Sequence, residues 1–181
     1  MRLTTYSFNG KEGIGSISGE AIIPFAQDSS LPNNMLSFLE GGPNSLEAAE
    51  NLCSLSKDRI SIAEVNLKAP ITRPPKIIAI GLNYSDHLDE VRAAGREIET
   101  PVVPMIFNKQ SLSVVGPFDD VHDPKVSEML DFEGELTFVI GKRCRHVPKE
   151  KAHEVIAGYT IANDLSVRDW QLRHPTFTIG K

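Results

Sequence analysis

The sequence has little cysteine, no long apolar run and no excess of positive charge. Its 181 residues contain two cysteines, Cys53 and Cys144, which form neither a CxxC motif nor a disulfide framework. No apolar run approaches the ~20 residues that a membrane-spanning helix needs, and the first residues lack the apolar core of a signal peptide. We therefore expect a cytoplasmic protein with no membrane partner, whose two thiols are reduced and structural.

The charge and the missing motifs exclude further classes of protein. The formal net charge is −5 at pH 7, which gives no sign of a surface for nucleic acid or anionic membranes. No Gly-rich phosphate loop, GxSxG motif or HExxH motif is present. The negative charge therefore gives no reason to expect a nucleic-acid partner. With 40% hydrophobic residues, the chain has enough apolar material for a folded core.

The chain divides into two regions of different pattern. Residues 1–70 begin with short alternating runs separated by glycine turns, which predict strands, and continue with two helical stretches broken at Gly41, Gly42 and Pro43. A stiff, proline-rich stretch follows. We predict a small N-terminal domain at residues 1–70 and a second domain at residues 71–181. The whole is expected to be an α+β fold, dominated by strands with helices outside.

The stretch DFEGELTFVIG, residues 131–141, is predicted to be a strand with carboxylates on one face. Side chains alternate along a strand, so Asp131, Glu133 and Glu135 share a face. We expect the opposite face to be buried as core; it carries Phe132, Gly134, Leu136, Phe138 and Ile140. Two ionised carboxylates about 7 Å apart disfavour each other. The alternatives are a solvated outer face or a site for a divalent cation such as Mg²⁺, Mn²⁺ or Ca²⁺.

Asp164 is the candidate for a third carboxylate. It follows the apolar run YTIAN, where a buried strand meets the predicted start of a helix. One interpretation makes Asp164 the N-cap of that helix. The other is that an adjacent strand delivers it beside the glutamate pair.

His87 and Glu90 in NYSDHLDEV are spaced so as to share one face of a predicted helix. A carboxylate beside an imidazole orients the ring and favours the imidazolium, which makes the histidine a better general base. The alternative is an exposed surface pair of little energetic value.

Arg168 and Gln171 in RDWQ have the same spacing and could jointly bind a carboxylate or an oxyanion. The alternative is an ordinary amphipathic helix with Trp170 in the core. Lys109 and Lys181 are lone cations whose sequence positions alone mean little.

Three segments, GLNYSDHLDE, DFEGELTFVIGKRCRHV and GYTIANDLSVRDWQ, in this order and near this spacing, resemble the fumarylacetoacetate hydrolase family. The match begins near Ile71 and runs to the last residue. The resemblance implies a mixed β-roll or sandwich of the fumarylacetoacetase C-terminal-domain type, with a smaller N-terminal α/β region, and commonly a homodimer. Family members continue for roughly a hundred residues beyond the lysine that matches Lys181. A chain that ended there would expose strand edges.

The resemblance also implies the roles of the candidate residues. A divalent metal, usually Mg²⁺ and sometimes Mn²⁺ or Ca²⁺, would be held by Glu133, Glu135 and Asp164. The catalytic group would be His87 and Glu90, which activate water, together with Lys181. Arg168 and Gln171 would line the substrate site, and we add Lys109 as a further substrate-binding cation.

The implied reaction is hydrolysis of a carbon–carbon bond in an acylpyruvate or fumarylpyruvate-type 2,4-dioxo acid, through an enolate stabilised by the metal. Relatives with the same enolate chemistry differ in outcome, so decarboxylation, isomerisation or dehydration of another 2-oxo acid stays open. The candidates are oxaloacetate, a diacid of homoprotocatechuate catabolism and a 2-keto-3-deoxy sugar acid. The alternative of another class is a truncated, non-catalytic metal-binding scaffold.

Overall fold

The structure, a computed structural model, describes residues 1–93, 95, 97–173 and 175–181. The chain forms two compact units, each assembled from several segments. The first comprises residues 1–74, 114–122 and 134–162, and the second comprises residues 75–113, 123–133 and 163–181. Short helices and paired strands occur together along the chain, which confirms the predicted α+β class. The region predicted at residues 1–70 lies within the first unit.

The first unit contains a five-stranded antiparallel sheet. Its strands are β1 Leu3–Phe8, β2 Lys11–Ser18, β3 Ala21–Pro24, β4 Ile60–Ser61 and β5 Asn66–Lys68. They lie side by side in the order β4–β3–β2–β1–β5. The β1–β2 turn is formed by Asn9 and Gly10, whose φ angles of 50° and 75° match the conformation that a two-residue hairpin requires. The predicted strands joined by tight turns are confirmed.

Two helices cover this sheet's core. They are α1 Met35–Glu40 and α2 Gly42–Leu55, and they are separated at the predicted Gly41–Gly42 break. The side chain of Asn34 caps α1 by accepting the backbone N–H of Ser37 at 2.9 Å. The buried core cluster consists of Ile14, Phe25, Leu31, Met35, Phe38 and Ala49. Within the described residues, no helix combines the length and apolar character needed to cross a membrane.

The second unit begins with a strand, a helix and a strand. These are β6 Ile77–Gly81, α3 Ser85–Ala93 and β7 Met105–Lys109, and β6 pairs with β7 in antiparallel register. Gly95 follows α3 with a φ of 79° and donates its N–H to the Arg92 carbonyl at 2.9 Å, the arrangement by which a glycine ends a helix. Strand β7 ends at Lys109, while the ring of Phe107 is buried.

The predicted strand at residues 131–141 is two strands, β8 Leu130–Asp131 in the second unit and β9 Gly134–Ile140 in the first. Strand β9 pairs with β10 Ile156–Asn163, after a 3-10 helical segment at Lys149–Val155. Burial alternates residue by residue along β9, as predicted. The side expected to be core is nevertheless exposed: Phe132 by 75%, Leu136 by 65%, Phe138 by 51% and Ile140 by 51%. That expectation was wrong, because the described residues leave about half or more of each of these side chains exposed.

The last elements are β11 Ser166–Val167 and the short helix α4 Arg168–Gln171. Strand β11 pairs with β8 in antiparallel register, with Ser166 opposite Asp131 and Val167 opposite Leu130. No helix begins directly after Asp164, and the N-cap position of α4 is Val167, whose side chain makes no capping bond. The N-cap interpretation of Asp164 was therefore wrong, because a second short strand separates Asp164 from the helix.

Candidate functional site

Two chain segments of the second unit, residues 129–133 and 163–168, are joined by a ladder of backbone contacts. The N–H of Asp164 donates to the Glu133 carbonyl at 2.8 Å, and the N–H of Arg168 donates to the Met129 carbonyl at 2.9 Å. The N–H of Glu133 donates to Oδ1 of Asn163 at 3.1 Å. Because these bonds fix the register of the two segments, they bring the side chains of Glu133 and Asp164 to the same place.

Both carboxylates converge on one ammonium group. Nζ of Lys181 donates to Oε2 of Glu133 and to Oδ2 of Asp164, the latter at 3.0 Å. The side chains of Lys181 and Asp164 are almost fully buried, with 2% and 6% exposed. The ring centroid of Phe107 lies 4.9 Å from the same Nζ, which adds a cation–π contact. Glu133 and Asp164 therefore offer their oxygens to a single cation.

A second lysine, Lys109, places another positive charge beside Asp164. Nζ of Lys109 contacts Oδ1 of Asp164 and donates to the Leu165 carbonyl at 3.0 Å. Asp164 thus binds one ammonium group with each of its carboxylate oxygens. In a buried setting such pairing offsets the cost of removing the charges from water.

The position of Lys181 is set by the glycine before it. Gly180 has a φ of 94°, a conformation that side chains disfavour. Its carbonyl accepts the N–H of Val167 at 2.7 Å. A Cβ at this position would lie 2.7 Å from the Val167 carbonyl oxygen and 2.8 Å from the Gln171 nitrogen. Only glycine fits this close approach, which anchors the segment that carries Lys181.

Arg168 lies beside the same carboxylates. Its Nη1 donates to Oε1 of Glu133 at 2.5 Å and to Oε1 of Gln171 at 3.1 Å. Its Nε and Nη2 both donate to Oδ2 of Asp131, at 2.8 Å and 2.7 Å. The guanidinium is therefore engaged by three side chains of the protein itself, although the sequence pattern predicted it as a group that binds substrate.

These contacts shift the pKa values of three groups. Burial opposes the ionisation of Glu133, but hydrogen bonds from Lys181 and Arg168 outweigh it and lower the pKa of Glu133. Burial likewise disfavours the charged form of Arg168, yet hydrogen bonds to Asp131 and Glu133 raise the pKa of Arg168. The hydrogen bonds from Arg168 lower the pKa of Asp131, assisted by the N–H of Phe132. All three groups are charged at neutral pH.

The donor set suits a hard divalent cation. Carboxylate oxygens are the ligands that Mg²⁺ and Mn²⁺ prefer, and the ammonium of Lys181 already bridges one oxygen of Glu133 and one of Asp164. Among the described residues, no group of three or more His, Cys, Asp or Glu side chains is assembled for metal binding. Glu135, the predicted third ligand, lies half-buried in β9 of the first unit. Its role stays a prediction.

His87 and Glu90 lie one turn apart on α3, as predicted. His87 is half-buried and Glu90 is exposed. Over the described part of the chain, no hydrogen bond or ion pair joins the two side chains. Their proposed role as a dyad stays a prediction.

Three polar residues of the cluster are not among the candidate site residues predicted from the sequence. Asp131 binds Arg168, Asn163 orients the Glu133 backbone, and Ser166 is fully buried and donates its hydroxyl to the Asp164 carbonyl at 3.1 Å. Asp131 could be noticed because it shares the alternating carboxylate face with Glu133. Asn163 and Ser166 gave no signal beyond their proximity to Asp164.

The second half of the chain is similar to a known protein family. Residues 76–181 match the family model described as fumarylacetoacetate (FAA) hydrolase C-terminal. The mitochondrial oxaloacetate tautomerase fahd2 of Xenopus laevis is 43% identical over 148 residues, covering 82% of this chain and 45% of that protein. The chain spans about half the length of the curated relatives that it matches.

Solved structures share the fold. A fumarylacetoacetate hydrolase from Exiguobacterium antarcticum superposes with a TM-score of 0.76 at 30% identity, covering 100% of this chain and 61% of that one. A maleylpyruvate hydrolase from Sphingobium sp. SYK-6, solved with manganese(II) and pyruvate, gives 0.73 at 28% identity, with coverages of 93% and 60%. The predicted fumarylacetoacetase C-terminal fold is confirmed. Because the family model matches residues 76–181, more than half of the chain, the protein belongs to the fumarylacetoacetate hydrolase family.

Proposed function

We propose that the protein is an enzyme that interconverts the keto and enol forms of a 2-oxo diacid of the oxaloacetate type. The observation that carries this proposal is the convergence of Glu133 and Asp164 on the buried ammonium of Lys181. Such a cluster combines ligands for a cation with a proton donor in a protected setting. Further support comes from a relative, 43% identical, that is named an oxaloacetate tautomerase.

The cation site would be formed by Glu133 and Asp164, and a third ligand at Glu135 stays an expectation from the family resemblance. A divalent cation bound there would polarise the carbonyl of a 2-oxo acid. Support for a divalent cation also comes from the structural relative solved with manganese(II) and pyruvate, since pyruvate is itself a 2-oxo acid.

The chain's own residues supply the proton transfers. In the keto-to-enol direction, a base removes a proton from C3. The electron pair of the broken C3–H bond forms the new C2–C3 double bond, and the π pair of the carbonyl moves onto the 2-oxygen. The ammonium of Lys181 donates a proton to that oxygen and becomes an amine. We assign the base to His87, oriented by Glu90. Exchange with water restores both groups, and the reverse sequence converts enol to keto.

Other groups hold the substrate and its developing charge. Lys109 contributes a second ammonium beside Asp164. The amide oxygen of Gln171 is occupied by Arg168, so the amide NH₂ of Gln171 is the end left to donate to a substrate oxygen. Arg168 itself is engaged by protein carboxylates, and its role is to hold the site together.

The test is the rate at which the enol form of oxaloacetate converts to the keto form, followed by absorbance with Mg²⁺ or Mn²⁺ present. We expect catalysis above the buffer rate, lost on chelation and lowered about 10²–10⁴-fold by His87→Ala. His153→Ala, which changes an exposed histidine, serves as the control and should be neutral. A rate equal to that of buffer alone would refute the proposal.

A second candidate function is hydrolysis of the carbon–carbon bond of an acylpyruvate. The observation in its favour is the fold shared with a maleylpyruvate hydrolase at a TM-score of 0.73. Here His87 would take a proton from water, the hydroxide would attack the distal carbonyl, and the pyruvate enolate would leave. Release of pyruvate from acetylpyruvate distinguishes this reaction from tautomerisation. Binding of Mn²⁺ without turnover of either substrate would favour the non-catalytic scaffold.

A further inference from the structure

Asp131 and Arg168 form a multiply bonded side-chain pair in the second unit, and the proposed reaction gives Asp131 no role. One oxygen of Asp131, Oδ2, accepts both Nε and Nη2 of Arg168, at 2.8 Å and 2.7 Å. Its other oxygen, Oδ1, accepts the N–H of Phe132 at 2.8 Å. Both oxygens of the carboxylate are therefore held, which leaves the guanidinium little freedom to rotate.

The third nitrogen of the guanidinium reaches the proposed site. Nη1 donates to Oε1 of Glu133 at 2.5 Å and to Oε1 of Gln171 at 3.1 Å. It thereby fixes one oxygen of Glu133 and turns the other, Oε2, toward Lys181. In the same way it fixes which end of the Gln171 amide is left to donate. Two groups of the proposed site thus take their orientation from one guanidinium.

The backbone holds this arrangement in place. Asp131 lies opposite Ser166 in the β8–β11 pair, and the N–H of Arg168 donates to the Met129 carbonyl at 2.9 Å. The charged ends are only partly shielded, with 24% of the Arg168 side chain and 46% of the Asp131 side chain exposed. An ion pair this exposed contributes little to stability by itself, so its effect on orientation matters more than its energy.

We propose that Asp131 is a positioning residue, which acts through Arg168 to orient Glu133 and Gln171 for binding of the cation and the 2-oxo acid. The expected effect of Asp131 on turnover rests on the proposed function, whereas its contacts with Arg168 are independent of that function. Partners that orient a metal ligand from outside typically change metal affinity or activity by about 10–100-fold when removed.

The first test is spectroscopic and needs no activity. Side-chain NMR resonances of the Arg168 Nε–H and the Gln171 NH₂ are compared between the wild-type protein and Asp131→Asn. We expect both to shift in Asp131→Asn. We expect neither to shift in the control Asp169→Asn, because Asp169 lies on the same helix as Arg168 but its carboxylate binds Ser127 and Arg173 instead. Unchanged Gln171 resonances in Asp131→Asn would overturn the proposal, whether or not the protein is an enzyme.

The second test is a double-mutant cycle on Mn²⁺ affinity and on oxaloacetate turnover, with the variants Asp131→Asn, Arg168→Ala and their combination. If Asp131 acts through Arg168, its substitution lowers affinity or kcat by about 10–100-fold alone and has no further effect in the Arg168→Ala background. Fully additive losses, or a fall in melting temperature with Mn²⁺ affinity and kcat unchanged, would overturn the proposal. If the wild-type protein binds Mn²⁺ but turns over no 2-oxo acid, the proposed function fails while the Mn²⁺ cycle still decides the role of Asp131.

Discussion

Nζ of Lys181 lies 3.0 Å from Oδ2 of Asp164, although the lysine side chain is only 2% exposed. The same ammonium contacts Glu133. A buried lysine that touches two carboxylates neutralises part of their repulsion, and it does so at the oxygens that a divalent cation would use. The stability of this cluster and its affinity for metal are therefore linked through one side chain.

The first prediction concerns Lys181→Met. Removing the ammonium leaves less positive charge beside the carboxylates of Glu133 and Asp164, so the free energy of unfolding should fall. The loss should be smaller than the about 3–5 kcal/mol typical of a broken buried pair, because Lys109 and Arg168 stay in place. Saturating Mn²⁺ should raise the melting temperature of this variant more than that of the wild-type protein.

The matched control is Lys151→Met, which changes an exposed lysine and should respond to Mn²⁺ as the wild type does. An equal Mn²⁺-induced shift in the wild type and Lys181→Met would show that the lysine and the metal do not share a site.

The second prediction concerns Gly180→Ala. The new Cβ would lie 2.7 Å from the Val167 carbonyl oxygen, on a backbone with a φ of 94°. We expect a cost of about 1–3 kcal/mol for the strained backbone, measured by urea unfolding. Gly158→Ala is the control, since a Cβ there meets nothing within 4 Å, and it should change stability little. Equal losses of stability in the two variants would contradict the claim that Gly180 anchors the segment that carries Lys181.

The third prediction tests the core of the first unit. Phe38 is 0% exposed, and its ring centroid lies 5.1 Å from that of Phe25. Phe38→Ala should lower the free energy of unfolding by about 3–5 kcal/mol, because it leaves a cavity as well as losing apolar burial. Leu55→Ala, at a side chain 79% exposed, should stay within about 0.5 kcal/mol. A comparable loss at both positions in denaturant unfolding would contradict the assigned core.

The fourth prediction concerns the contribution of Asp119 to stability as the pH is lowered. The backbone N–H of Gly116 at 2.8 Å is the main cause that lowers the pKa of Asp119, with Lys68 assisting. A carboxyl whose folded pKa lies below its unfolded value stabilises the protein above the unfolded pKa and ceases to do so as pH falls through the folded pKa. Asp119→Asn should therefore be less stable than the wild type at neutral pH, and the difference should vanish in acid. Melting temperatures of both proteins across the acid range provide the measurement, and a difference that grew as pH fell would contradict it.

How much could be predicted from the sequence depended on the range of the interaction involved. The alternation along residues 131–141 placed Asp131 and Glu133 on one face, because it follows from local strand geometry. Which face is buried depends on what covers it, and the exposed Leu136 and Phe138 show that local pattern does not decide this. The alternation of side chains between two faces is set by the strand itself, whereas the burial of either face is set by the residues that pack against it.

The site shows the same limit. Arg168 and Gln171 were found from helical spacing, but the partner that engages Arg168 is Asp131, 37 residues earlier in the chain. Lys181 meets Glu133 across 48 residues. No local pattern records such pairings, so the sequence suggested free substrate-binding groups where the structure has an ion-pair network. The role of the His87–Glu90 pair, the third metal ligand Glu135, the homodimer and the cytoplasmic location stay predictions.

The most direct measurement of the central claim is a titration of the protein with Mn²⁺, followed by electron paramagnetic resonance. If Glu133 and Asp164 converge on one divalent cation, Mn²⁺ should bind to the wild-type protein and to the control variant Asp86→Asn, which changes an exposed residue of α3. Asp164→Asn should lose more affinity than the ~10–100-fold that removal of an outer partner costs. Equal Mn²⁺ affinity in the wild type and Asp164→Asn would contradict the claim.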